Sequence, residues 1–145
     1  MRIAVGSDHG GLTYKNAIKE HLIAQGHEVV DVGTHTEESC HYPIYGESVA
    51  RKVANKECQF GVVVCTSGEG ICMAANKVKG VRCGIAYNDE VAKLMRQHND
   101  ANVIAFGQKF MELKDVLNRV DIFLRTEFEG GRHQTRVDLI TKIEK

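Results

Sequence analysis

The stretch VVVCTSGEGICMAANK, residues 62–77, carries the reading that decides the fold. Three consecutive β-branched residues are what a strand covered on both faces requires. Ser67, Gly68 and Gly70 then suit a tight turn, and the residues after them space their apolar side chains as a helix does. The unit is strand, glycine loop, helix, with the Cys65 thiol at the strand's C-terminal lip.

The same alternation continues outward in both directions. RIAVGS, EVVDVG, FGVVVC, VRCGIAY and NVIAFG are rich in β-branched residues and stop at polar or glycine signals, so they read as five strands. Helix-like segments at 12–25, 44–55, 71–78 and 89–97 separate them. Further helices are expected over 112–125 and in the terminal TRVDLITKIEK. Val49, Ala50, Val53 and Ala54 recur at helical spacing and predict one buried stripe. Pro43, the one proline, falls in TEESCHYPIYG and is read as a loop residue. Alternating β and α with near-continuous apolar strands predicts an α/β fold, a five-stranded parallel sheet covered by helices on both faces. No repeat or linker interrupts residues 1–145, which read as one domain long enough to bury its own core.

Acidic and basic residues number 19 each, so the formal net charge is zero, which argues against a general nucleic-acid or acidic-membrane binder. Any anion site is therefore local. The apolar runs are too short to span a bilayer, and the N-terminal MRIAVGSDHGG is too short in apolar residues for a signal peptide. The expected location is cytoplasmic. Cysteines 40, 58, 65, 72 and 83 are odd in number and contain no C-x-x-C pair, which disfavours a disulfide framework, a zinc site or a thiol redox centre. Four of them are expected as small packing residues; Cys65 stands apart.

In open sheets of this kind ligands bind beyond the C-terminal strand ends. Ser7 to Gly11, Cys65 to Gly70 and the FGQK segment are expected there, facing one crevice. The glycine loop lacks the G-K-[ST] of a phosphate P-loop and the G-x-G-x-x-G of a dinucleotide turn. A cysteine phosphatase needs arginine six positions after its nucleophile, where this chain has Ile71. A thiol beside backbone N–H donors at a helix N-terminus remains, which is equipment for proton abstraction next to a carbonyl. The competing reading is a structural cysteine buried in a turn. Glu69 is expected to point outward, since its carboxylate would repel an anionic ligand.

Five ordered segments extend this reading: GSDHGG, then GTHTEES and HYP on either side of Cys40, CTSGEGICMAANK, RQHNDANVIAFG and FEGGRHQTRV. Together they resemble the type B ribose-5-phosphate isomerases and the related galactose- and allose-6-phosphate isomerases, over nearly the whole chain. The resemblance implies a Rossmann-like three-layer αβα sandwich. It also implies a homodimer or homotetramer with active sites between subunits, the C-terminal helix at the interface, and aldose–ketose interconversion of a sugar phosphate without metal or cofactor. By the same resemblance Cys65 matches the catalytic base and His98 the acid that opens the sugar ring. Thr66, Ser67, Gly68, Glu69 and Gly70 match the loop that holds the enediolate oxygens. Asp8, His9 and Asn99 match sugar-contacting positions, and Lys109, Arg132 and Arg136 match basic positions at the ligand's anionic end.

Residue chemistry alone leaves alternatives beside several of these roles. His98 also reads as an exposed polar residue, Arg132 and Arg136 as solvated surface arginines, and Asp8 as a helix cap. The chain also departs from the family pattern. Cys65-Thr66-Ser67-Gly68 replaces Cys-Gly-Thr-Gly, Cys72 stands where serine is common, His41 replaces an aspartate, and Lys109 replaces an arginine. One family branch uses a glutamate base at the position of Ile71, which places this chain with the cysteine branch. Ribose 5-phosphate is the expected substrate. A six-carbon sugar phosphate and a non-catalytic sugar-phosphate binder are the alternatives.

Overall fold

A computed structural model describes residues 1–144; Lys145, the last residue of the expected C-terminal helix, lies outside the described residues. The strands are β1 (Arg2–Ser7), β2 (Glu28–Asp31), β3 (Phe60–Cys65), β4 (Cys83–Ile85) and β5 (Val103–Gly107). All pairings are parallel, in the order β2-β1-β3-β5-β4. The helices are α1 (Leu12–Ala24), α2 (Tyr42–Ala54), α3 (Glu69–Asn76), α4 (Asp89–Gln97), α5 (Leu113–Arg125) and α6 (Arg132–Ile143).

Strand parity explains why the central strands are apolar at every position. Val62 and Val64 of β3 face one cluster with Ile18 and Leu22 of α1, Met95 of α4, and Val120 and Phe123 of α5. Val63 and Cys65 face the other, with Val49 and Val53 of α2 and Ile71 and Ala75 of α3. A residue on either face of β1, β3 or β5 therefore meets a helix, so no polar alternation survives. The expected stripe of α2 is buried at Val49, Ala50 and Val53, with Ala54 at its margin. The three-layer αβα sandwich is present. Helix α6 stands apart: it buries His133 and Val137 and leaves Leu139, Ile140 and Ile143 exposed.

Several boundaries differ from expectation, each for a local reason. Pro43 is not a loop residue; it sits in the first turn of α2, where a missing N–H costs no helical bond. Helix α3 begins at Glu69 and not Ile71, because Gly68 takes φ +85° and turns the chain directly into the helix. Strand β2 ends at Asp31, whose carboxylate accepts the Gly33 N–H at 2.9 Å and draws the chain out of the ladder. Strand β4 is only Cys83–Ile85, and α6 starts at Arg132 rather than Thr135. Of the four cysteines expected as packing residues, Cys58 and Cys72 are buried, whereas Cys40 and Cys83 are half-buried. Among the described residues, no helix is long and apolar enough to cross a membrane.

One polar network anchors the loop that follows β1. Lys15 of α1 is buried, and its Nζ donates to both oxygens of Asp31 at 2.9 and 2.8 Å. Burial pushes the Asp31 carboxyl up, but hydrogen bonds from Lys15, the Gly33 N–H and Lys19 outweigh it and hold the group below its usual range. The tethered Gly33 carbonyl accepts the Ser7 N–H at 2.8 Å, and the Thr34 N–H returns to the Ser7 carbonyl at 2.7 Å. Lys15→Met takes the closest donor from a buried carboxylate, leaving it Lys19 and the Gly33 N–H, and is expected to cost about 3 kcal/mol in urea unfolding. Asp31 is more acidic folded than unfolded. Its contribution is therefore present above the unfolded carboxylate's pKa near ~3.9 and lost as pH falls through the lower folded value. An unchanged urea midpoint in Lys15→Met would show that the network holds nothing.

Candidate active site

The chain reverses direction between β1 and β3, going outward to β2 and then back across, and this reversal opens a crevice at the C-terminal ends of those strands. Register keeps the ends level: Ser7 lies opposite Val64, and Cys65 opposite Gly107. The loops after the three strands are tied to one another. A Cβ on Gly10 would run into Thr66 Oγ1, so glycine at this position lets the β1 loop lie against the β3 loop. The Gln108 N–H donates to the Cys65 carbonyl at 3.0 Å and the Lys109 N–H to the Thr66 carbonyl at 3.1 Å. The three segments expected to face one crevice, Ser7–Gly11, Cys65–Gly70 and Gly107–Lys109, thus lie against one another at the C-terminal strand ends.

Asp8 is buried at 6 % exposure, and among the described residues its Oδ1 has no hydrogen-bond partner. It occupies the N-cap position of a short 3-10 turn, His9–Gly11, yet its side chain caps nothing, which removes the helix-cap reading. An unpaired buried carboxylate oxygen is costly, and a bound hydroxyl is the kind of group that relieves it. His9 is exposed, and its Nδ1 accepts the Cys40 N–H at 3.2 Å. That bond leaves the proton of neutral His9 on Nε2, as a donor.

Cys65 is 5 % exposed and turned toward the α2–α3 face, and its Sγ accepts the Gly68 N–H at 3.1 Å. Thr66 and Ser67 are exposed above it, and Ser67 Oγ accepts the Glu69 N–H at 3.2 Å. Glu69 points outward, as expected, in the first turn of α3, where a carboxylate complements the helix dipole. Geometry narrows the loop's anion-binding capacity. The first intrahelical bond of α3 is Cys72 N–H to the Gly68 carbonyl. Helix geometry frees the N–H groups of Glu69, Gly70 and Ile71. The first is taken by Ser67, so Gly70 and Ile71 keep donors for a ligand. Lys109 is exposed beside Phe110, with its Nζ 5.9 Å from the ring centroid.

The remaining expected residues lie elsewhere. Helix α4 runs from the C-terminal end of β4 back to the start of β5, so His98 and Asn99 sit at the opposite edge of the sheet from Cys65. The five residues of β5 separate the two edges by roughly 15 Å at ~3.3 Å per residue. The Glu129 N–H donates to the Gln97 carbonyl at 3.1 Å, which brings the start of α6 to the same place. His133 stacks on His98 with ring centroids 4.2 Å apart and planes at 12°. Arg132 and Arg136 are exposed on the adjacent turns. Burial lowers the His133 pKa, and the charges of His98, Arg132 and Arg136 act in the same direction against Glu129. One chain therefore gathers Asp8, His9, Cys65–Gly70 and Lys109 at one edge, and His98, Asn99, Arg132 and Arg136 at the other.

Sequence reasoning missed Glu129, His133 and the Cys40 amide. Glu129 and His133 are four apart, a spacing that places two side chains on one helical face, but a histidine between two arginines reads as surface. A backbone donor such as that of Cys40 leaves no residue-type signal.

Comparison with known proteins matches this architecture. A family described as Ribose/Galactose Isomerase matches residues 3–140. The chain is 44 % identical over 144 residues to ribose-5-phosphate isomerase B of Escherichia coli strain K12, covering 99 % of this chain and 97 % of that protein. The solved structure of Clostridium thermocellum ribose-5-phosphate isomerase B superposes with a TM-score of 0.98 at 47 % identity, covering 99 % of this chain and 97 % of that one. Ribose-5-phosphate isomerase B of Mycoplasma genitalium, solved with bound ribulose 5-phosphate, superposes with a TM-score of 0.95 at 42 % identity, covering 99 % and 95 %. With its parallel sheet, its level strand ends and its Cys65 loop, this chain belongs to the ribose/galactose isomerase family.

Proposed function

We propose that the protein interconverts ribose 5-phosphate and ribulose 5-phosphate through a cis-enediolate, in an active site completed by a second copy of the chain. The observation that carries this reading is the division of chemistry-bearing residues between two sheet edges. A base at Cys65 and a ring-opening acid at His98 sit at opposite ends of β5, a strand roughly 15 Å long at ~3.3 Å per residue. They act on one sugar only if His98 comes from a partner. Family membership and the ribulose 5-phosphate bound by the Mycoplasma genitalium relative support the substrate. The exposed apolar side chains of α6 (Leu139, Ile140 and Ile143) support that helix as part of the subunit contact, in a homodimer or homotetramer.

The steps follow from the groups present. His9, through Nε2–H, and Lys109 meet the phosphate from one chain, and Arg132 and Arg136 meet it from the other. The partner's copy of His98 exchanges a proton with the cyclic sugar's oxygens while the unpaired Asp8 carboxylate accepts a sugar hydroxyl, and the ring opens. The Cys65 thiolate takes the C2 proton, reached from the exposed Thr66–Ser67 side of the turn. Negative charge moves to the carbonyl oxygen, where the Gly70 and Ile71 N–H groups receive it. Within the cis-enediolate the C2 hydroxyl proton passes to the C1 oxygen, and the same thiol returns its proton to C1, giving the ketose with no net proton change. The N–H of Gly68, already directed at the sulfur, is a donor suited to a sulfur carrying negative charge.

A positioned base contributes roughly 10²–10⁴ in rate, about 3–5 kcal/mol of barrier. Cys65→Ala is expected to lose about that much kcat with an unchanged circular dichroism spectrum, whereas Cys72→Ala keeps its activity; a Cys65→Ala enzyme of near-normal kcat would refute the base. Arg136→Ala is expected to raise KM for ribose 5-phosphate with little change in kcat, and an unaltered KM puts the phosphate elsewhere. Mixing Cys65→Ala and His98→Asn chains under subunit exchange tests the two-chain site. Random pairing is expected to restore roughly a quarter of wild-type activity, since half the dimers carry one intact site of two. No recovery on mixing rules the shared site out.

A further inference from the structure

Two thiols that the isomerisation above does not use are brought together at the edge of the sheet. Cys72 lies in α3 and Cys83 begins β4, and both pack in the cluster between the sheet and helices α2 and α3. Asn76, one helical turn after Cys72, holds Cys83 by both backbone groups. Its side-chain N–H donates to the Cys83 carbonyl at 2.9 Å, and its side-chain carbonyl accepts the Cys83 N–H at 2.7 Å. The edge strand is thereby fastened to the helix face that carries Cys72. Cys72 Sγ lies 3.4 Å from the Cys83 carbonyl oxygen, and the two thiols are hydrogen-bonded to each other.

The pair is chemically unequal. The hydrogen bond from the Cys83 thiol holds Cys72 below the usual thiol range against the opposing effect of burial, and the Asn76 side-chain N–H, 3.7 Å from the Cys72 sulfur, also favours a thiolate. The same contact pushes the Cys83 thiol up, so Cys83 keeps its proton. An acidic thiol beside a protonated one is the arrangement in which the first attacks an oxidant and the second resolves the product. Cys83 is half-buried and lines a cavity of about 440 Å³ beside the exposed Asn76, which gives a small solute access to the pair. The two cysteines are eleven residues apart, outside any C-x-x-C spacing, so only the fold makes them neighbours.

We propose that Cys72 and Cys83 are a dithiol site that a hydroperoxide converts reversibly into a disulfide, and that the cross-link slows the isomerase. The Cys72 sulfur attacks one peroxide oxygen; the O–O bond breaks, and Cys72 becomes a sulfenic acid as the departing oxygen takes up a proton. The Cys83 sulfur then attacks the Cys72 sulfur, the S–O bond breaks, and the hydroxide released leaves as water with the Cys83 proton. In all, the two thiols lose two electrons and hydrogen peroxide is reduced to two waters. Joining the sulfurs brings them closer than hydrogen-bond contact and draws the start of α3 toward β4. The Cys72 N–H closes the first hydrogen bond of α3, to the Gly68 carbonyl, so the movement is passed to Gly70 and Ile71. The loss of turnover rests on the proposed use of those two amides; formation of the disulfide does not.

The chemistry is tested in full-length Cys65→Ser protein, which lacks the proposed catalytic thiol. Hydrogen peroxide is added under native conditions, free thiols are alkylated, and peptides are mapped by mass spectrometry without reductant. A Cys72–Cys83 cross-link that dithiothreitol removes is expected, and Cys72→Ser in the same background abolishes it. Free thiols at both positions, overoxidised Cys72 without a cross-link, or a cross-link to another cysteine overturns the site. Turnover is read with Cys65 in place, comparing the unaltered chain with Cys83→Ala, whose activity before oxidation is expected to be normal. Peroxide reaches Cys65 in both proteins, so the difference between them is the measure. The kcat of the unaltered chain is expected to fall about tenfold further than that of Cys83→Ala, in step with the cross-linked fraction and with recovery in dithiothreitol. Equal losses in the two proteins, with the cross-link mapped, overturn the effect on turnover and leave the disulfide standing.

Discussion

Parallel register between β1, β3 and β5 is the constraint on which the rest of the molecule depends. It brings Ser7, Cys65 and Gly107 to one level, so three loops that are far apart in sequence start from one line. Each loop is then short enough to be held by its neighbour's backbone. Gly10 lies against Thr66, and the amides of Gln108 and Lys109 bind the carbonyls of Cys65 and Thr66. Slipping β3 by one residue would turn Cys65 to the other face of the sheet and detach these bonds.

Polar groups inside the fold reinforce that line. The buried Lys15–Asp31 pair does little for net stability compared with an apolar pair, but it fixes where β2 ends. Through Gly33 and Ser7 it also fixes where Asp8 begins. Among the described residues, Asp8 Oδ1 stays without a partner beside this well-satisfied network. A local cost of this kind, supported by packing elsewhere, is what the proposed role of Asp8 in holding a sugar hydroxyl calls for.

The layers were legible in the residues because burial on two faces removes polar positions from a strand. FGVVVC and NVIAFG announced central strands for that reason. The weaker segments EVVDVG and VRCGIAY became short edge strands, where pairing on one side only allows the ladder to stop early at Asp31 and Ile85. Pro43 was misread because a proline in a polar segment looks like a loop, whereas the first turn of a helix accepts it equally well. At the site, Cys65 and its loop were readable as a local unit, since strand, turn and helix N-terminus are contiguous. Glu129 and His133 were not, since their partner His98 is distant in sequence and meets them only through the packing of α4 against the start of α6.

Composition and local pattern by themselves determined the class of fold, the order of its elements, the balance of formal charge and the position of a thiol at a strand end. These depend on periodicity and on interactions between near neighbours, which one chain of letters records. Only the tertiary structure decided that Gly68 aims its amide at the thiol and that, among the described residues, Asp8 Oδ1 lacks a partner. It also decided that His98 lies at the other end of the strands from Cys65. Those outcomes depend on strand direction and on which end of each helix meets which end of the sheet. Such long-range geometry is written in no short segment, because it arises from all five strands packing at once.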